Sequence, residues 1–457
     1  MRDWKKYYEE HTVTAEEAIS EIRDGEMIVP SHAASEPQYL FRKLVEMKER
    51  FQPKGVGVLQ GLNQGLAPYA AEDCWPYIQI NSFFYGKNNR AQLQAGRGET
   101  LPIHFYAQPV AMREGYLPVD VGFMQITPPN EDGMVCLGLS CDQGKVIINK
   151  ARITIAQVNK NMPWVCGDTL VPVEDIDYFV PYDEELIEIP FITSDDPVSE
   201  AIGKNIASLI EDGACLQMGQ GNVPNAILKF LGDKKDLGVH TEVFSDNLIP
   251  LIEKGVITGA RKAIDTGKIV ATFIQGTKEL YKYVDHNEMI YLRPVDYTNS
   301  VANIGKNDKV VAINSATAVD LLGQIVADTI GGKPFSGVGG QQDFIRGAEE
   351  SAGGKPIIAL PATAKKGTVS RITVTHPAGT PITTTRNDVH FVVTEFGIAD
   401  LFGKSNNERA RQLINIAAPE FREGLYKEYV EWQKGIGMEV TLEDYLKRKG
   451  FSEEWAK

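Results

Sequence analysis

Twice in this chain a helical stretch ends in Ile-x-Asp-Gly, enters a short apolar run, passes through a loop of small residues and meets a proline. The first copy runs from Ile22 to Gly25, through Met27-Ile28-Val29-Pro30, to Pro37. The second runs from Ile210 to Gly213, through Ala214–Met218 and Gly219–Val223, to Pro224. Gly25 to Pro37 is 12 residues and Gly213 to Pro224 is 11. Each copy reads as helix, buried strand, loop, helix. Two readings stay open: chance likeness between two ordinary units, or two halves of related architecture. The second predicts a pair of α/β domains facing one another across a cleft, a usual place for a site.

The rest of the chain keeps the same alternation. Thr14 before Ala-Glu-Glu-Ala predicts an N-cap with acids in the first turn. Strand candidates in the first part are Gly55–Leu59, Leu101–Phe105, Val119–Ile126, Val135–Leu139 and Ile153–Val158. In the second part they are Ala214–Met218, Val239–Val243, Ile269–Ile274, Val310–Asn314, Ile357–Leu360 and Val389–Thr394. Short apolar runs alternating with helices indicate an α/β fold with a largely parallel sheet. The stretch from Glu174 to Asp196 is acidic and interrupted by prolines, so the expected domains are 1–190 and 191–457. From Pro419 the tail is helical through Trp432, expected to pack back on the molecule or on a partner subunit.

At 457 residues the chain is too long for one ordinary core. Its net charge of -14 argues against nucleic acid or an anionic membrane as the main partner. No apolar run approaches the roughly 18 residues of a membrane span, and the N-terminus, MRDWKKYYEE, is polar. A cytoplasmic protein is expected. Cys74, Cys136, Cys141, Cys166 and Cys215 are scattered without a CxxC pair, so buried thiols are expected rather than disulfides or zinc. His32, His104 and His240 are isolated, and no metal site is expected.

Two stretches carry candidate chemistry. Glu242 ends the run Leu237-Gly-Val-His-Thr-Glu, and the carboxyl end of a strand in an open α/β sheet faces the ligand crevice. It is a candidate nucleophile or a first-turn acid of the next helix, a place Asp246 fits better. The run Gly337-Val338-Gly339-Gly340 precedes the helix-like Gln-Gln-Asp-Phe-Ile-Arg. Such a loop can offer backbone N–H groups to an oxyanion. The Gly219–Pro224 turn is a structural loop or a ligand loop facing a phosphate or carboxylate, since glycine lets backbone approach a ligand closely. It lacks the dinucleotide pattern and a Walker lysine. No G-x-S-x-G elbow exists.

Taken together, the chain resembles the acetyl-CoA hydrolase/CoA-transferase family, the family I-like CoA-transferases. The likeness runs nearly end to end, through Asp3-Trp4-Lys5-Lys6, Pro128–Gly133, Val158–Pro163, Gly238–Glu242, Pro294–Tyr297, Ser336–Phe344 and Val393–Asp400. It implies two NagB/RpiA-like open α/β domains and a homodimer or dimer-based oligomer. It implies CoA transfer between short-chain acids, such as acetate with butyrate or 4-hydroxybutyrate, through a glutamyl-CoA thioester on Glu242. The alternative is hydrolysis of acyl-CoA by the same intermediate. The resemblance makes Gly337, Val338 and Gly339 the oxyanion donors. It places coenzyme A along Gly219, Gln220, Gly221, Asn222, Val223, Asn314, Gly340 and Lys365, and the acyl group near His32, Glu36 and the Gly61–Gly65 loop. Gln220 and Asn222 replace apolar residues usual in the family, and Gly96-Arg97-Gly98-Glu99 also departs. Both bear on which acid is accepted.

Overall fold

The computed structural model describes residues 3–190, 196–219 and 221–451. Two sheets organise it. The first contains β1 (Met27–Pro30), β2 (Val56–Gln60), β3 (Ile78–Ser82), β4 (Gly98–Thr100), β5 (Val121–Ile126), β6 (Ile153–Val158) and β7 (Tyr178–Pro181). Their order is β4-β3-β2-β1-β5-β6-β7, parallel throughout. The second contains β8 (Cys215–Met218), β9 (Gly238–Val239), β10 (Val310–Ser315), β11 (Lys355–Ala359), β12 (Phe391–Thr394) and β13 (Gly397–Asp400). Their order is β9-β8-β10-β11-β12-β13, with only the β12–β13 pair antiparallel. The expected α/β class with parallel sheets is what the chain adopts. β5 and β6 are buried at every position, as strands covered on both faces must be.

The order β2-β1-β5-β6-β7 of the first sheet is repeated by β9-β8-β10-β11-β12 of the second. The repeated Ile-x-Asp-Gly has one physical job in both. The Asp24 carboxylate accepts the Lys54 N–H, at 3.0 Å for Oδ2, just before β2. The Asp212 carboxylate accepts the Lys235 N–H at 2.9 Å just before β9. The Gly25 N–H donates to Gly55 O at 2.6 Å, and the Gly213 N–H to Lys235 O at 2.8 Å. Both glycines are left-handed, with φ of 89° and 76°, a conformation that favours glycine. Each turn therefore tethers the strand that will pair with the one it launches. The common order and the common tether favour two halves of related architecture over chance likeness.

The expected boundary between 190 and 191 adjoins residues 191–195, which lie outside the described residues. The halves interlock through 137–168. Leu139, Cys141, Met162 and Val165 share an apolar core with Ile202, Leu216 and Phe244. Ser140 bridges to Phe273, and Gly167 to Leu292.

Three expected runs depart locally. Leu101–Phe105 forms no strand: the Leu101 N–H donates to Ser82 O, and the next residue, Pro102, has no N–H to continue the ladder. Val239–Val243 is interrupted after β9. His240 then bridges to Val270, and Val243–Phe244 pairs with Phe273–Ile274. Ile269–Ile274 breaks at Thr272 for the same reason: the Thr272 and Phe273 N–H groups both turn to Glu242 O, at 2.9 and 3.0 Å. The tail helix, Pro419–Gly435, packs back on the molecule. Leu425, Tyr429 and Val430 are buried with Ile358, Val392 and Ala399 of the second sheet. No helix among the described residues is long and apolar enough to cross a membrane.

Candidate active site

Glu242 rides on the segment that leaves the second sheet, with its backbone clamped by the two N–H groups just named. His240, two residues earlier, stands on the same side of this extended segment. Its Nε2 lies 2.7 Å from Thr298 O. Burial, aided by the charge of Lys262, pushes the ring down to about 4, so it is neutral and Nε2–H donates. That contact holds the residue preceding Asn299.

Asn299 Nδ2 donates to Glu242 Oε1 at 2.6 Å and also to Asp343 Oδ2 at 3.1 Å. Asp343 Oδ2 in turn accepts the Tyr106 N–H at 3.2 Å. The Gly340 N–H, at the start of the helix Gln341–Glu350, donates to the Glu242 carboxylate. Burial raises Glu242 to about 7; the Asn299 and Gly340 donors oppose the shift, and the charge of Asp343 adds to it. Burial also raises Asp343. Glu242 is thus a half-buried carboxyl whose ionised form is reached near neutrality and is held by two aimed donors.

Above Glu242 lies a cavity of about 70 Å³. Its walls are aromatic: Phe83, Phe84 and Phe105 from the first half and Phe273 from the second. Gly61, Leu62, Gly339, His32 and Gln108 complete it. Both nitrogens of the His32 ring are engaged. Nε2 accepts the Leu62 N–H at 2.6 Å, which puts the proton on Nδ1, 2.6 Å from Asp142 Oδ2. Glu36 does not line the cavity. It is buried and ties down the Gly61–Gly65 loop, accepting from Asn63 Nδ2 at 2.6 Å, the Gly65 N–H at 3.1 Å and the Tyr69 hydroxyl at 3.2 Å. Burial raises it too to about 7.

The glycine run divides its work. Gly337 packs on the Phe83 carbonyl and Phe84, where no side chain fits. Val338 is half-buried. Gly339 faces the cavity, and its carbonyl accepts the Phe105 N–H at 3.1 Å. Gly340 touches Glu242: a Cβ there would overlap both Glu242 Oε1 and Asn299 Nδ2. On the other side of the Glu242 segment, Gly219 shares a crevice with Thr241 and Val243. Thr241 Oγ1 donates to Met218 O at 3.1 Å. Gly221 (φ 128°) caps the helix Asn222–Leu228, which also holds Val223. Gln220 lies outside the described residues. Asn314, on β10, donates to Gln217 Oε1 at 3.2 Å. Lys365 is exposed in the turn joining Thr363–Ala364 to Val369–Ser370, and makes no side-chain hydrogen bond or ion pair among the described residues.

The loop that carries the glycines is held from the first half. Arg90 Nε donates to Phe335 O at 2.9 Å, and its guanidinium lies 4.2 Å from the Phe335 ring centre. Gln94 Nε2 donates to Pro334 O at 2.6 Å. These contacts sit at the rim, so Arg90→Ala is expected to change the melting temperature by no more than about 2 °C. It is expected to lower kcat/KM about ten-fold, through a loosened loop. Steady-state kinetics beside a thermal melt checks both.

Residues 1–192 match the model of the acetyl-CoA hydrolase/transferase N-terminal domain, and residues 276–429 that of the C-terminal domain. The chain belongs to the acetyl-CoA hydrolase/transferase family. This CoA-transferase is 45% identical over 427 residues to the 4-hydroxybutyrate coenzyme A transferase of Clostridium kluyveri, covering 93% of this chain and 99% of that one. It is 35% identical over 436 residues to the butyryl-CoA:acetate CoA-transferase of Anaerostipes caccae, covering 93% and 97%. A solved 4-hydroxybutyrate CoA-transferase from Porphyromonas gingivalis matches with a TM-score of 0.81 and 37% identity, over 93% of this chain and 99% of that one. Asn299, Asp343 as its partner, Asp142, Gln108 and Arg90 are site residues that sequence reasoning did not single out.

Proposed function

We propose that this enzyme moves CoA between a short-chain acyl-CoA and a free carboxylic acid, such as acetyl-CoA with 4-hydroxybutyrate or butyrate. It does so in two half-reactions through a glutamyl-CoA thioester on Glu242. The observation that carries this reading is a carboxylate at the floor of an aromatic cavity, held by Asn299 and the Gly340 N–H. Ionised Glu242 attacks the thioester carbonyl, and the CoA thiolate leaves as the acyl-glutamyl anhydride forms. The thiolate then attacks Cδ of Glu242, releasing the first acid and leaving the thioester. A second carboxylate runs the same steps in reverse and departs as the new acyl-CoA. Both nucleophiles are anions, so no general base is needed. Oxyanion charge develops in turn on the substrate carbonyl, facing Gly339, and on the Glu242 carbonyl, where the Gly340 N–H and the Asn299 amide already point.

In this reading the first half supplies most of the acyl walls, and residues from 191 onward supply Phe273, Glu242 and the CoA site. The tail would pass along Gly219–Val223 and Asn314, with Lys365 toward its phosphates. Remote binding of that tail helps a weak carboxylate nucleophile over its barrier. The aromatic walls and the engaged His32 nitrogens leave a water in the cavity without a base, which disfavours hydrolysis. Intact-mass measurement after mixing with acetyl-CoA alone tests the reading. A CoA adduct on Glu242 that disappears when a carboxylate is added is expected. Acetyl-CoA consumed without acid or adduct would assign a hydrolase instead.

The pH profile follows from Glu242. A carboxyl at about 7 is mostly protonated below that value and is a nucleophile only above it. We expect kcat/KM for acyl-CoA to rise about ten-fold per pH unit on the acid side and to level off above about 7. A profile flat down to pH 5 would show that the ionised form is far more stable than its surroundings imply.

A further inference from the structure

The polar inventory of the cavity is short. Glu242 is the nucleophile, and both His32 nitrogens are engaged. Among the described residues, no lysine or arginine lines the walls. The remaining polar side chain is Gln108, which is buried, 4% exposed, on the helix Ala107–Arg113. Its amide is half committed. Gln143 Nε2 donates to Gln108 Oε1 at 3.3 Å, and no protein group among the described residues accepts from Gln108 Nε2. Nε2 is thus left to donate to a ligand oxygen that enters the cavity.

The placement of Gln108 is fixed from two directions. The turn before its helix is tied to the catalytic loop, Phe105 N–H to Gly339 O at 3.1 Å and Tyr106 N–H to Asp343 Oδ2 at 3.2 Å. Its amide is oriented by Gln143, whose own N–H donates to Asp142 Oδ1 at 2.6 Å. Asp142 is also the residue that orients His32. One buried network therefore sets both the inert wall and the single free donor.

We infer that Gln108 is a specificity-determining residue that selects short acyl chains bearing a neutral oxygen, a hydroxyl above all. This rests on the CoA-transfer reading of the same site. A hydroxyl can accept from Nε2 while the aromatic walls take the methylene groups. A second carboxylate finds no cation here, and burying it against one neutral amide leaves its charge unpaired. A plain alkyl chain fits the walls and leaves the amide unpartnered. The cavity thus ranks hydroxylated acids above plain ones, and both above dicarboxylic ones.

The test measures kcat/KM for 4-hydroxybutyrate, butyrate and succinate as CoA acceptors from acetyl-CoA, with the wild type, Gln108→Leu and Gln108→Met. In the wild type, succinate is expected to be at least about a hundred-fold worse than 4-hydroxybutyrate, the scale of an unpaired buried charge. In the variants, the 4-hydroxybutyrate to butyrate ratio is expected to fall about ten-fold, the scale of one uncharged hydrogen bond to substrate. Gln108→Met keeps the side-chain length and stands in if the leucine variant does not fold. An unchanged ratio, with both acids losing equally, would overturn the inference by giving Gln108 a purely structural role. Efficient use of succinate by the wild type would overturn it also. A wild type that transfers CoA to no carboxylate would instead remove the transfer reading, and this inference with it.

Discussion

Glu242→Gln is expected to remove CoA transfer almost completely, by about 10⁴-fold or more in kcat, and to make the protein more stable above neutral pH. The loss follows from the chemistry: an amide at this position cannot form the anhydride or the thioester, and a missing nucleophile is not replaced by binding alone. The gain follows from the burial that raises Glu242 to about 7. In the unfolded chain a glutamate ionises near 4.3. Between those two values the folded protein holds a proton that the unfolded chain has released, so its stability falls as pH rises across the window. Above it, the wild type carries the full cost of an ionised, partly desolvated carboxylate. After discounting for the side chain's partial exposure to solvent, that cost is about 1–2 kcal/mol. Glutamine keeps the shape and can still accept the Asn299 and Gly340 hydrogens through its oxygen. The variant is therefore expected to melt a few degrees above the wild type at pH 8, and level with it at pH 4. Intact-mass measurement with acetyl-CoA should show no adduct. A variant that kept a hundredth of the transfer rate would remove Glu242 from the mechanism. An equal gain at both pH values would mean that the glutamate is not held out of its ordinary range.

Signals confined to a few neighbouring residues were legible in the sequence. The Ile-x-Asp-Gly tethers, the apolar strands and the glycine run all act over short spans, and the structure uses them as turns, sheet strands and a close approach. Glu242 could be singled out because it ends an apolar run. That the run stops pairing at Val239 could not, since it depends on Thr272 and Phe273 turning their N–H groups to Glu242 O. Asn299 and Asp343 left no local trace. Asn299 follows the short helix Val295–Thr298, and Asp343 sits in the first turn of another. Either position suits an ordinary surface residue, and only the packing of the two helices brings them to one carboxylate. Nor does the sequence separate the two glutamates that the fold raises. Glu36 and Glu242 are both raised to about 7. Three donors close around Glu36 and make it a brace for a loop, while Glu242 keeps an open side toward the cavity. In the proposed mechanism, reactivity is a matter of which face remains free.

Gly340→Ala is the sharper probe of how that free face is used. It is expected to lower kcat by about 10²–10³-fold, the scale of losing an oxyanion donor. The backbone at Gly340 has φ of -103°, so alanine meets no conformational penalty there. The cost is contact. The added methyl would overlap Glu242 Oε1 and Asn299 Nδ2 together, and the helix Gln341–Glu350 behind it is packed through Phe344 and Ile345 and cannot retreat. Glu242 must rotate away, and it leaves both donors at once. Gly232→Ala, at an exposed position where a methyl meets nothing, serves as the matched control and is expected to be neutral. The two half-reactions then separate the possible causes. If the donors serve mainly the oxyanion on Glu242 itself, Gly340→Ala forms the CoA adduct slowly and, once loaded, discharges it to acetate equally slowly, because both steps pass through charge on the same carbonyl. If the methyl only blocked the substrate, KM for acyl-CoA would rise while kcat stayed near that of the wild type. A fall in kcat with KM little changed is therefore the signature of a carboxylate that needs its two donors most when its own carbonyl carries the charge.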